Sequence, residues 1–279
     1  MTQRLVPSPV FLLSAVRSGS TLLRCVLDSH SQVHAPHEMH LTQFAVQGGQ
    51  PQTTAVLEAL GLNGDDLEHL LWDRLLHERL STSGKRTIVE KTPTNLLAWQ
   101  RLHACWPEAR YVFLLRHPEH ILRSMLAAHH GLMGEQLRLV HGEQYRDWAA
   151  PEAVLQFVTA LLHALVEARA ALPGLTVRYE DLVADPEPVV KEICAFLDIP
   201  WEADMLHYGR SDHGPFKVFL GDVGDRIATG TILPPQDIDL PVDPRPLRAL
   251  CTALGYTPSP WNPQACGTAT QPPQSLELR

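Results

Sequence analysis

Val10-Phe11-Leu12-Leu13-Ser14-Ala15-Val16-Arg17-Ser18-Gly19-Ser20-Thr21-Leu22-Leu23-Arg24-Cys25-Val26-Leu27 runs from an apolar segment, through a polar turn with one glycine, into a stretch with apolar residues at helical spacing. A strand that turns through Gly19 into a helix aims the first helical N–H groups and the positive dipole end at one point, which suits a phosphate. The spacing imitates the G-x-x-x-x-G-K-[ST] loop of nucleotide hydrolases, but Ser14 replaces its first glycine and Ser20 replaces the lysine that reaches the β- and γ-phosphates. Phosphate binding is therefore expected here, and ATP chemistry is not.

Outward from this turn, Thr87–Val89, Tyr111–Leu115 and Leu175–Tyr179 join Val10–Ala15 as short apolar or β-branched runs. Such runs suit strands buried on both faces of a parallel sheet. Between them lie helical patterns. One is built on Leu67, Leu70, Leu71, Leu75, Leu76 and Leu80, with Asp65 and Asp66 placed to cap its start; the longest is centred on Phe157 to Val166 and stops before Pro173 and Gly174. Shorter helices are expected over 21–29, 93–104, 118–130 and 186–197. Alternating strands and helices predict an α/β, P-loop-like three-layer αβα fold with a central parallel sheet, formed by residues 1–257. Residues 258–279, rich in Pro, Gln, Thr and Ser, are expected to be a mobile tail.

The strand Tyr111–Leu115 ends in Arg116, where a nucleotide hydrolase would place a magnesium-holding Asp, and Ser124 follows eight residues later. A guanidinium fork grips a phosphate bidentately and a hydroxyl adds a further bond. The turn Val16-Arg17-Ser18-Gly19-Ser20-Thr21, the Arg116/Ser124 pair and the stretch Val177-Arg178-Tyr179-Glu180-Asp181-Leu182 occur in the order found in sulfotransferases. The chain resembles that family over roughly residues 9 to 200. The resemblance implies transfer of a sulfuryl group from 3′-phosphoadenosine 5′-phosphosulfate (PAPS) to an acceptor hydroxyl, without a metal. It also implies that Ser18 to Thr21 hold the 5′-phosphosulfate with Arg17 near the transferring group, and that Arg116 and Ser124 hold the 3′-phosphate. Tyr179 either reaches the donor or fills the sheet edge.

Two carboxylates compete to be the base. Glu38, in His34-Ala35-Pro36-His37-Glu38-Met39, matches by its separation from Arg17 the catalytic Glu of tyrosylprotein sulfotransferases. Glu90, in Glu90-Lys91-Thr92-Pro93, resembles the Glu-Lys-Ser/Thr-Pro motif of heparan sulfate sulfotransferases. Glu38 is favoured, because the whole stretch from Arg17 through Leu27, Asp28 and His30 matches in spacing, whereas Glu90 could instead pair with Lys91 or with a helix start. Lys91 is a candidate to stabilise charge on the oxygen bridging sulfur and phosphorus. Lys217 and Arg226, on the long loop 209–243, are candidate phosphate contacts, although the family's usual C-terminal basic-Gly motif is not evident there. His34, His37 and His40 lie three apart, but Pro36 interrupts any helix that would converge them on a metal, and no metal is expected.

Composition restricts the partners. The formal net charge of −8, from 23 basic against 31 acidic residues, disfavours a nucleic-acid surface, so an anionic ligand needs a local cationic cluster. Five widely spaced cysteines without a CxxC pair suit a reducing cytoplasm. No stretch reads as a signal peptide or membrane span. A cytoplasmic small-molecule or carrier-bound metabolite is thus the expected acceptor, with segments 43–63 and 131–145 shaping its pocket. The alternatives are a P-loop-type kinase or nucleotide hydrolase, and a non-catalytic nucleotide-binding protein.

Overall fold

The computed structural model describes residues 4–46, 50–130, 134, 147, 149–217, 219–222, 225–233 and 243–259. Its centre is an all-parallel sheet of β1 (Val10–Ser14), β2 (Val33–His34), β3 (Thr87–Glu90), β4 (Arg110–Leu115) and β5 (Gly174–Arg178), in the order β2-β3-β1-β4-β5. β1 is fully buried and pairs with β3 on one side and β4 on the other, Leu13 lying against Phe113. Successive side chains of a strand point to opposite faces, and the core divides accordingly. Phe11, Leu13, Ile88, Tyr111 and Phe113 pack into one layer; Val10, Leu12, Val89, Val112 and Leu114 pack into the other. Both faces are covered, which gives the expected three layers.

The first layer contains α3 (Gly64–Ser83), α4 (Trp99–Cys105), α5 (Pro118–His130), α6 (Pro151–Ala171) and α10 (Arg248–Ala253). The second contains α1 (Ser20–Asp28), α7 (Tyr179–Ala184) and α8 (Pro186–Phe196). α6 is long and apolar enough to cross a bilayer by length and composition alone, but Val154, Val158, Leu161, Leu162, Leu165 and Ala168 along it are buried in the protein core. α2 (Pro51–Leu60) lies within the segment 43–63 and buries none of its residues, and the short α9 (Asp225–Ala228) interrupts the loop 209–243. Of the segment 131–145 only Gly134 is described, and most of the tail 258–279, from residue 260 onward, lies outside the described residues.

Several boundaries differ from the sequence reading. β2 has only two residues, too few to show as a periodic pattern, and exists through pairing with β3. α3 starts earlier: Asn63, not Asp65 or Asp66, is its cap, accepting from Asp66 N while the Asp66 carboxylate accepts from Asn63 N. Residues Pro93–Ala98 form a 3₁₀ turn before α4 instead of one continuous helix. Tyr179 is not a strand residue; β5 ends at Arg178 and Tyr179 opens α7, which turns its ring toward the loop after β1.

Candidate functional site

In an open parallel sheet, ligands gather beyond the carboxyl ends of the strands. Here the loops after β1, β3, β4 and β5 meet there, together with the chain after β2. They enclose a cavity of about 820 Å³.

The loop after β1 forms its floor. Arg17 and Gly19 both take left-handed backbone angles, with φ 59 and 85, which bends the chain so that α1 begins at Ser20 without a side-chain cap on its free N–H groups. A Cβ on Gly19 would overlap Cδ2 and Cε2 of Tyr179. The turn therefore needs glycine for conformation and for space. Gly19→Ala is expected to cost about 1–3 kcal/mol of stability, the range for a strained backbone position, and to weaken anion binding at α1. Urea unfolding and ligand titration of the variant check both.

Guanidinium groups converge on the β4 and β5 side. Arg116 Nη1 donates to the Arg17 carbonyl at 2.7 Å, and its guanidinium carbon lies 4.4 Å from the centre of the Tyr179 ring. Burial lowers the Arg116 pKa, with Tyr179 and Glu180 opposing that shift. Arg17 Nε donates to Ser124 Oγ at 3.2 Å, and Arg17 Nη1 donates to Asp222 Oδ1 at 2.7 Å. Arg123 and Arg226 also line the cavity. Ser18 Oγ, Arg116 Nε and Arg123 Nε are buried with no hydrogen-bond partner among the described residues. Buried polar groups are almost always paired, so several donors left over around a helix N-terminus fit a polyanion carrying more than one phosphate or sulfate. PAPS has that charge pattern.

The β2 and β3 side supplies a carboxylate and an ammonium. Glu38 lines the cavity, and its Oε1 accepts from Lys91 Nζ at 2.5 Å. Lys91 is fully buried and also reaches Thr21 Oγ1 at 3.3 Å, so it is no solvated lysine. Glu90 does not pair with Lys91. It is fully buried behind the cavity, accepting from Thr92 Oγ1 at 2.6 Å, from Met39 N at 3.3 Å and from Asn95 Nδ2. Burial pushes its pKa up against the pull of the hydrogen bonds from Thr92 and Met39 N. The three spaced histidines diverge: His34 Nδ1 lies 3.4 Å from Asp28, His37 Nδ1 lies 3.0 Å from the Glu38 carbonyl, and His40 Nε2 lies 2.6 Å from the Phe219 carbonyl.

Residues 219–222 strap the two sides together. Leu220 O accepts from Glu38 N at 3.2 Å, and Asp222 N donates to Thr21 Oγ1 at 3.1 Å. The chain leading into this strap is anchored on α1, where His213 lies 2.9 Å from the Asp28 carboxylate. Burial would raise the Asp28 pKa, but hydrogen bonds from His213, His34 and Ala35 N hold it well below the usual carboxylate range. Lys217 is exposed and outside the cavity lining, because the turn closed by Leu220 N on Lys217 O carries only the later residues to the site. Ser18, Lys91 and Glu90 stand just behind the lining; Arg17, Gly19, Ser20, Thr21, Glu38, Arg116, Ser124, Tyr179 and Arg226 are in it.

A model of the sulfotransferase family matches residues 9–203, most of the chain, and takes in the cavity lining apart from the strap and Tyr208, Arg226, Ile227, Thr231 and Leu233. The chain belongs to the sulfotransferase family. It is 29% identical over 230 residues to nodulation protein NoeE of Sinorhizobium fredii, covering 71% of this chain and 52% of that protein. It is 27% identical over 210 residues to protein-tyrosine sulfotransferase 1 of Danio rerio, covering 71% and 55%. It thus spans about half the length of these curated relatives. Among solved structures, the sulfotransferase domain of the Synechococcus PCC 7002 olefin synthase superposes with a TM-score of 0.61 at 22% identity, covering 90% of this chain and 96% of that one. The sulfotransferase domain from the curacin biosynthetic pathway gives 0.60 at 23%, covering 90% and 99%. These two share the fold.

Asp222 and the Phe219 and Leu220 carbonyls escaped the sequence reading. Asp222 meets Arg17 across 205 residues, and no periodicity or motif in the loop 209–243 marks it. The left-handed Arg17 was equally hidden, since a non-glycine residue at positive φ has no compositional signature.

Proposed function

We propose that this sulfotransferase-family chain transfers a sulfuryl group from PAPS to the hydroxyl of a small-molecule or carrier-bound acceptor. The observation that carries the reading is Lys91: one buried ammonium touches both the cavity-facing Glu38 and Thr21 at the start of α1, so the base and the anion site are parts of one network. Bound at the loop after β1, PAPS supplies the sulfuryl group and a phosphate oxygen as the leaving atom.

Sulfuryl transfer resembles phosphoryl transfer in needing in-line positioning and charge stabilisation. Glu38 accepts the proton of the acceptor hydroxyl as that oxygen forms its bond to sulfur. The bond between sulfur and the bridging oxygen breaks, and its electron pair leaves with the 5′-phosphate of adenosine 3′,5′-bisphosphate (PAP). Lys91 and Arg17 face the negative charge that develops there. Arg116 and Ser124 hold the 3′-phosphate, and Tyr179, packed on Gly19 and under Arg116, fixes the loop between the two anion positions.

Asp222 offsets part of this cationic field through its pair with Arg17. Asp222→Asn is therefore expected to bind PAP more tightly, by about twofold to fivefold, the effect of a partly exposed ion pair, with the gain fading at high salt. Calorimetry at two ionic strengths reads it. The reaction itself is tested by incubating the protein with PAPS and a panel of hydroxyl compounds under mass spectrometry. A sulfated product with matching PAP release supports the proposal; PAP binding without product from any compound leaves only a nucleotide-binding protein.

A further inference from the structure

The cavity has two chemically unlike walls. Its cations lie toward the ends of β1, β4 and β5: Arg116 is bonded to the backbone of Arg17, Arg17 is bonded to Ser124, and Arg123 is the residue before Ser124. The opposite wall comes from α6, which packs against both α5 and the 3₁₀ turn that starts at Pro93. There Ala153, Val154 and Phe157 of α6 line the cavity with Met125 and Ala128 of α5 and with Pro93. Among the described residues α6 and Pro93 contribute no lysine or arginine to the lining, and α5 contributes Arg123, next to Ser124 at the donor end, and His129, next to Ala128. The proton-accepting group, Glu38, lines the same cavity and is itself a carboxylate.

This division has consequences for the acceptor, given the function proposed above. An anionic acceptor would find its counter-charges at the donor end, where they face the donor's own phosphates, and would bring negative charge toward Glu38. An apolar one gains from leaving water along the helix wall. We infer that the acceptor is an uncharged alcohol on an apolar chain or ring, held by its hydrocarbon between α5 and α6 with its hydroxyl delivered to Glu38. Met125, Val154 and Phe157 then set specificity, by the length of hydrocarbon they cover.

The experiment compares three acceptor classes with PAPS as donor: straight-chain primary alcohols from butanol to decanol, a tyrosine peptide flanked by Asp and Glu, and a carboxylated oligosaccharide. PAP affinity is measured in parallel. The expected result is sulfation of the alcohols, with kcat/KM rising about fourfold per added methylene until the wall is covered, as for transfer of one methylene out of water. Ala153→Arg, which places a cation on this half-buried stretch of α6, is expected to abolish the dependence on chain length while PAP binds as in the wild type. Preferential sulfation of the peptide or the saccharide overturns the inference and leaves the sulfotransferase reading intact. So does a flat response to chain length, or PAP binding with no alcohol sulfated. Failure to bind PAP at all removes the reading on which the inference rests, and the inference with it.

Discussion

Glu38→Gln is expected to turn over about 10²- to 10⁴-fold more slowly than the wild type, the usual contribution of a positioned general base, while binding PAP with unchanged affinity. The amide removes the proton-accepting charge but keeps an oxygen on which Lys91 Nζ can donate, so the buried ammonium retains a partner. Glu38→Ala is the poorer probe, because stripping one member from a buried ion pair costs about 3–5 kcal/mol and confuses folding with chemistry. Glu90 provides the contrast. It lies behind the cavity and braces Thr92, Asn95 and the backbone at Met39. Glu90→Ala leaves those donors unsatisfied and is expected to lower stability by about 1–3 kcal/mol for each such group, with the folded fraction still turning over. Pre-steady-state turnover and urea unfolding of both variants separate the roles. A Glu38→Gln variant with near-normal turnover, beside a well-folded and inactive Glu90 variant, would transfer the base to Glu90.

Arg116→Ala is expected to weaken PAP binding by about 30-fold or more, since truncating one partner of a buried, hydrogen-bonded charge pair costs roughly 2–5 kcal/mol. The side chain also ties down the Arg17 carbonyl and stacks on Tyr179, so its loss loosens the turn that positions α1. Arg116→Lys should recover only part of the affinity, because an ammonium lacks the planar fork. A KM for PAPS that rises far more than kcat falls marks a donor-holding residue. Equal loss in both would place Arg116 at the reacting bond.

The fold was legible because its decisive features are local. The apolar run to Ser14, the turn at Gly19 and the helix from Ser20 follow one another in sequence, and strands buried on both faces read as unbroken apolar segments. β2 was not, because two residues carry no period and their conformation is set by β3. The cavity lining was legible where one short segment carries several of its residues, as with Arg17, Gly19, Ser20 and Thr21. It was obscure where a role depends on burial. Lys91 and Glu90 are adjacent in sequence, yet one joins Glu38 and Thr21 while the other turns away toward Asn95. Glu90 is the last residue of β3 and Lys91 the first residue beyond it, and which of the two borders a ligand is a property of the packed molecule. Lys217 lies outside the cavity lining for a related reason: basic residues of a long loop look alike until a turn decides which of them reach the sheet edge.

The central claim is that the loop after β1, Arg116 and Ser124 form a site for a 3′,5′-bisphosphorylated nucleoside and not for a magnesium-bound triphosphate. Isothermal titration of the wild-type protein with PAP in the presence of EDTA addresses it directly. The predicted result is stoichiometric binding that needs no divalent cation, is weakened by rising salt and is largely lost in Arg116→Ala. Absence of PAP binding, together with saturable binding of magnesium-ATP, would contradict it.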